Sequence, residues 1–133
     1  MKKNLKKVLA NMDNESINKM LFDAAIASED CQTIIEAANF LEPDSPEQAI
    51  QLYLKLYQFG DEEGSIQYAR LLLLGKGCSK SDPASALKAL AVTKNTYAKL
   101  LEAGMVGLGI GTKADATKAD KLLQEIIKQY INS

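Results

Sequence analysis

Between residues 64 and 123 one pattern of small and apolar residues is written twice. Gly64, Ala69, Leu72, Gly75 and Gly77 recur as Ala98, Ala103, Val106, Gly109 and Gly111, each displaced by 34 positions. After the glycines the displacement falls to 33, with Asp82, Ala86 and Leu90 answering to Asp115, Ala119 and Leu123. The loop has lost one residue between copies. A period of this length marks a helical hairpin that cannot bury its apolar face alone and does so by stacking on its neighbour. A chain so written is a quasi-linear array, with its core spread along a line.

Local signals divide the array. Ile17, Met20, Leu21, Ala24 and Ala25 recur at helical spacing and predict a helix over 14–27, capped by Asp13 or Asn14. Ser28 reads as the next N-cap, with Glu29 and Asp30 in the first turn. That helix runs to about Leu41 and buries Ile34, Ala37, Ala38 and Leu41. Pro43 then stops it and drives Glu42 out of helical backbone. Ser45 and Gln48 spell a capping box, with Pro46 at the first helical position. The helix they start carries Ala49, Ile50, Leu52, Tyr53, Leu56 and Tyr57 and ends at Gly60. Asp61 opens a helix that Gly75 closes, Asp82 and Pro83 open another, a further one spans about 96–108, and Asp115 caps the last, to Tyr130 or Ile131. Residues 2–12 read as a short basic helix or a frayed arm.

The expectation is a single all-α domain over 1–133, a right-handed α–α superhelix. N-terminal helices in 1–28 cap hairpins at 29–60, 61–94 and 95–131. Three hairpins meet the usual minimum for a stable stack. Small residues at 64, 69, 86, 98, 103 and 119 allow paired helices to approach to about 8 Å.

The pattern small-x4-small-x2-apolar-x2-Gly-x-Gly, followed by Asp-x3-Ala, resembles the Sel-one-like repeat, a relative of the tetratricopeptide repeat. The last copy carries it in Gly109, Gly111, Asp115 and Ala119, and the middle copy in Gly75, Gly77, Asp82 and Ala86. The first hairpin keeps only the second-helix half, from Ala49 to Gly60, and its Pro43–Pro46 loop has no glycine pair. The resemblance covers 46–131 well and 29–45 weakly, and leaves 1–28 outside. Leu72 and Val106 stand where the family usually places Tyr, and its Leu-Gly pair is Tyr68-Ala69 and Glu102-Ala103 here. The resemblance implies a non-catalytic module that binds another protein along the first helix of each hairpin. On those helices Glu36, Asn39, Glu62, Glu63, Gln67, Arg70, Lys99 and Glu102 lie off the expected core stripe and are the candidate partner-binding residues.

Composition narrows the chemistry. The sequence has no His, which excludes His-based nucleophilic triads and His-ligated metals. Cys31 and Cys78 match no metal or redox spacing and read as two lone small thiols. Gly107, Gly109 and Gly111 imitate a dinucleotide loop, but Thr112 stands where the fingerprint needs glycine and a helix precedes it. Asp61-Glu62-Glu63 reads as an acid-decorated helix start, and Glu42 and Asp44 as solvated loop acids. No cofactor or metal is expected.

The net charge of −1 hides a strong asymmetry. Residues 13–63 carry twelve acids against Lys19 and Lys55, whereas 64–133 carry ten bases and five acids, and Lys2, Lys3, Lys6 and Lys7 add more positive charge. Such a dipole steers a charged partner. The scattered lysines, with no aromatic interleaving, speak against nucleic acid. No apolar run is long enough to span a bilayer. The expected protein is a cytoplasmic monomer that meets another protein. The favoured specific role is a bacterial immunity protein, an inhibitor docked over the basic site of a secreted toxin or effector. A general adaptor or chaperone-like scaffold is the first alternative, and a small enzyme using surface carboxylates the second.

Overall fold

The computed structural model describes residues 11–132, so the expected basic arm at 2–12 falls almost wholly outside it. Among the described residues seven α-helices follow one another, with no strand: α1 (Asn14–Ala27), α2 (Cys31–Leu41), α3 (Pro46–Gln58), α4 (Glu62–Leu74), α5 (Pro83–Ala91), α6 (Thr96–Leu108) and α7 (Ala116–Ile131). Successive helices pack on each other, most extensively α6 with α7, α2 with α3, α4 with α5 and α3 with α4. The architecture is the expected all-α one, an α–α superhelical solenoid.

Short polar side chains start most of the helices. Asp13 accepts from the Ser16 amide at 2.7 Å, Asp61 from Gly64 at 2.8 Å, Asp82 from Ser85 at 3.1 Å and Asp115 from Lys118 at 3.0 Å. Each satisfies an amide that the first helical turn leaves without a partner. Gly75 and Gly109, with φ of 69° and 77°, end α4 and α6 in left-handed backbone.

Three local expectations around the first hairpin are overturned. The cap of α2 is Asp30, which accepts from the Gln32 amide at 3.1 Å, so that helix starts at Cys31; Ser28 instead closes α1. The Ser28 hydroxyl accepts from the Asp30 amide at 3.1 Å, which sets up the turn. Ser45 makes no side-chain cap at α3, so there is no capping box; its amide ties back to the Leu41 carbonyl at 2.7 Å and its carbonyl takes the Gln48 amide. Glu42 keeps helical backbone (φ −54°, ψ −46°) although Pro43 follows. Its amide still reaches the Ala38 carbonyl at 3.0 Å, and its side chain is anchored by two cations, which together outweigh the proline clash.

The core runs through Ile34, Ala38, Leu41, Leu52, Tyr53, Leu56, Ala69, Leu71, Ala89 and Leu90, all fully buried. The stripe expected on α1 is only partly used. Met20 and Ala24 face solvent, while Asn18 and Ala25 are buried and Phe22 is half-buried. Among the described residues, helix α1 packs against α2 and α3.

The joints between hairpins explain the small residues. A Cβ on Gly64 would run into Leu56 of α3. A Cβ on Gly77 would run into the carbonyl of Pro46, the first residue of α3, and one on Gly111 into that of Pro83, the first residue of α5. Each glycine loop thus sits on the second helix of the preceding hairpin. Both glycines also have positive φ, 81° and 79°, which a side chain resists.

Candidate functional site

Backbone contacts set the register of the first helices. The amide opening each second helix reaches back to Leu41, Leu72 or Val106: Ser45 to Leu41, Asp82 to Leu72 and Asp115 to Val106. Those three residues are therefore equivalent, as are the buried Ala38, Ala69 and Ala103 before them. The first hairpin has its first helix, as the sequence predicts, and Ala38 and Leu41 there hold the repeat positions that the motif comparison leaves unmatched. Its connecting turn spans four positions between these bonded residues against ten and nine in the others. That shortening shifts the period and hides the match.

In this register Glu36, Gln67 and Leu101 are equivalent, and so are Asn39, Arg70 and Gly104. On α4 the outward positions are mixed, with Glu63 and Gln67 beside the half-buried Ile66 and the exposed Leu74, and on α2 Glu36 and Asn39 stand beside the exposed Phe40. On α6 this outward ladder is apolar: Tyr97, Leu100, Leu101 and Leu108 are exposed, at 81%, 43%, 44% and 77%. These four were absent from the expected site, although the displacement of 34 leads from Glu63, Ile66, Gln67 and Leu74 to them.

The candidate residues fall into two groups. Glu36, Asn39 and Glu63 are exposed, and Gln67 and Arg70 half-exposed. Glu36 lines an apolar groove of about 450 Å³ between α1 and α2, with Leu21, Ala24 and Phe40. The other three are bound into joints. Glu102 was expected off the core stripe, but it is buried and equivalent to Tyr68. Its partner Lys99 donates to it at 2.9 Å and to the Ala91 carbonyl at 2.9 Å, closing the end of α5. Glu62 accepts from the amides of Lys94 and Asn95, the latter at 2.7 Å, and so holds the start of α6 against the start of α4.

Glu42, expected as a solvated loop acid, is the centre of a polar cluster. Its carboxylate pairs with Arg70 and, at 3.2 Å, with Lys76, and it accepts from the Tyr53 hydroxyl at 3.3 Å. That hydroxyl also donates to Asn39 at 2.6 Å, and Arg70 donates to Gln67 at 2.7 Å. The Arg70 hydrogen bond, with Lys76 behind it, holds the Glu42 carboxyl below its usual range against the opposing effect of burial. Burial, reinforced by the Glu42 charge, pushes the Tyr53 phenol up to about 12. The cluster joins α2, α3 and α4, so Arg70 and Asn39 owe their orientation to it.

A second concavity, about 660 Å³, lies between α1 and the α2–α3 turn, with Glu15, Asp23, Asp44 and Lys19 on its walls. Lys19 is paired with Asp23 at 2.9 Å, which leaves the groove net acidic. Among the described residues no group of three His, Cys, Asp or Glu side chains is placed to hold a metal ion. No helix among them is long and apolar enough to cross a membrane.

No family model and no curated protein matches the sequence. A search of solved structures matches the crystal structure of a Sel1 repeat protein from Oxalobacter formigenes, with a TM-score of 0.65 over 89% of this chain and 91% of that one. The fold is Sel1-like. At 17% identity the likeness lies in the backbone path rather than in shared surface residues. The narrow residues at 64, 69, 98 and 103 and the two glycine loops allow the close helix approaches of that path. A helical-hairpin array has its outward ladder as a continuous surface, here mixed over the first two hairpins and apolar over the third.

Proposed function

We propose that this Sel1-like chain is a non-catalytic module that binds another polypeptide along the ladder of α2, α4 and α6. The observation that carries the reading is the exposed row Tyr97, Leu100, Leu101 and Leu108 on α6. Large apolar side chains side by side on a surface mark an interaction site more than a solvated face. The polar rungs Glu36, Asn39, Glu63, Gln67 and Arg70 continue it and supply hydrogen-bonding groups.

The partner we favour is basic at one end and apolar at the other. The acid-walled groove by α1 and the exposed Glu36 and Glu63 complement positive charge, and the α6 row complements an apolar segment. An inhibitor that covers the basic site of a secreted toxin, acting as an immunity protein in the bacterial cytoplasm, has this chemistry. An adaptor in a secretion or signalling system shares the mode of contact with a different partner.

The test is a pull-down from the native cell with the wild type and with Leu101→Glu. A partner retained by the wild type and lost by the variant, with association that slows as salt rises, supports the reading. Equal retention by both, or turnover of a substrate by the chain alone, overturns it.

A further inference from the structure

Helix α7 carries an exposed apolar face that is covered at its first position in both other hairpins and at its second in the first hairpin. The N-cap positions Ser45, Asp82 and Asp115 and the buried Ala49, Ala86 and Ala119 set the correspondence of α3, α5 and α7. In that register Leu123 matches Tyr53 and Leu90, which are fully buried, yet it is 38% exposed. Ile127, 56% exposed, matches Tyr57, which stacks on Tyr68 of the next hairpin at 5.6 Å. Ile131 continues the same face one turn on and is 74% exposed. Ala119, Leu122 and Ile126 are more enclosed, so the exposed stripe lies beside the face packed on α6.

We infer that this stripe is the contact surface of a second copy of the chain, with the two α7 helices antiparallel about a two-fold axis near Gln124. The charges beside the stripe argue for that occupant. Asp120, Gln124 and Lys128 follow one another at four-residue spacing on its flank, all exposed. A two-fold axis near Gln124 lays the Leu123–Ile127 stripes of the two copies against each other. It also sets Asp120 against Lys128 of the other copy, twice by symmetry. A self-complementary edge of this kind closes after two chains, whereas head-to-tail stacking would grow without end. The sequence alone favoured a monomer, because periodicity does not show which apolar positions stay uncovered. One helix face is a small interface, so the pair forms at micromolar concentration or above.

Light scattering coupled to size exclusion, over a concentration series into the sub-millimolar range, tests this. The wild type is expected to approach twice its 14.5 kDa. Leu123→Glu with Ile127→Glu is expected to stay at the single mass with an unchanged helical circular-dichroism spectrum. Lys128→Asp is expected to weaken pairing about tenfold, and adding Asp120→Lys to restore it. Both charge changes lie on solvated positions, so they decide the matter even where the apolar variant loses its fold. A wild type that stays at the single mass overturns the inference. So does a mass that keeps rising with concentration, or a charge reversal that its partner change does not rescue.

Discussion

The two joints of the array use one backbone device and two different sets of side chains. Between the first and second hairpins, Gly64 meets Leu56, Gly77 sits on Pro46, Tyr57 stacks on Tyr68, and Glu42 gathers Arg70, Lys76 and Tyr53. Between the second and third, Gly111 sits on Pro83 in the same way, but the side chains that bond across this joint bond to backbone. Glu62 holds the Lys94 and Asn95 amides, and Lys99 holds the Ala91 carbonyl. Helices α3 and α4 also pack more extensively than α5 and α6. The glycine contact sets the geometry of both joints, and the side chains decide how firmly each is held. The third hairpin is therefore expected to open before the first two hairpins separate, because repeat arrays unfold by losing neighbour contacts.

The sharpest way to break this comparison is to place the same defect at each joint. Gly77→Ala and Gly111→Ala each add a Cβ against a proline carbonyl at positive φ, at about 3 kcal/mol. The first is expected to lower the whole urea transition. The second is expected to split it, with α6 and α7 melting early while α2 to α4 stay folded. Identical single transitions would mean that the joints are equally strong. Gly64→Ala tests the close approach at ordinary helical backbone and is expected to cost about 1–3 kcal/mol by thermal melting.

Removing the charge at the first joint should have a smaller effect. Glu42→Gln is expected to cost about 1–2 kcal/mol at neutral pH, since Arg70 and Lys76 are partly solvated. The Glu42 carboxyl is held below its usual range, so its contribution is complete above that range and is lost as pH falls through the depressed value. Wild type and variant should thus converge in acid-melting curves. Tyr53 gives the alkaline counterpart. With its phenol pushed up to about 12, its contribution is intact below 10.0 and is lost as pH rises toward 12. Tyr53→Phe should flatten that alkaline slope in melts followed by circular dichroism. The smallest effect is expected at Gly104, where a Cβ meets nothing within 4 Å. Gly104→Ala should stabilise α6 by about 0.5–1 kcal/mol and narrow the difference between the joints.

Much of the fold was legible because its signals are local. Asp61, Asp82 and Asp115 at helix starts, Gly75 and Gly109 at helix ends, and the displacement of 34 need no tertiary knowledge. The misreadings also have local causes. Ser28 and Ser45 are good cap residues by type, but Asp30 and the Leu41 carbonyl compete for the same turns. The site was less legible. Lys99 and Glu102 were placed on the surface because they are charged, whereas they neutralise each other inside a joint at 2.9 Å. Leu100 and Leu101 are apolar, which in sequence reads as core, yet both are exposed.

The repeat, the helix starts of the last two hairpins and the narrow positions where helices meet are written locally in the sequence. Each of these depends on backbone sterics or on residues within a turn of one another. Tertiary structure alone decided that Glu42 binds Arg70 from 28 residues away, that Glu102 is buried, and that Leu101 and Ile127 are not. Periodicity fixes which residues share a face of a helix. What covers that face depends on the neighbour that packs on it, which periodicity does not specify.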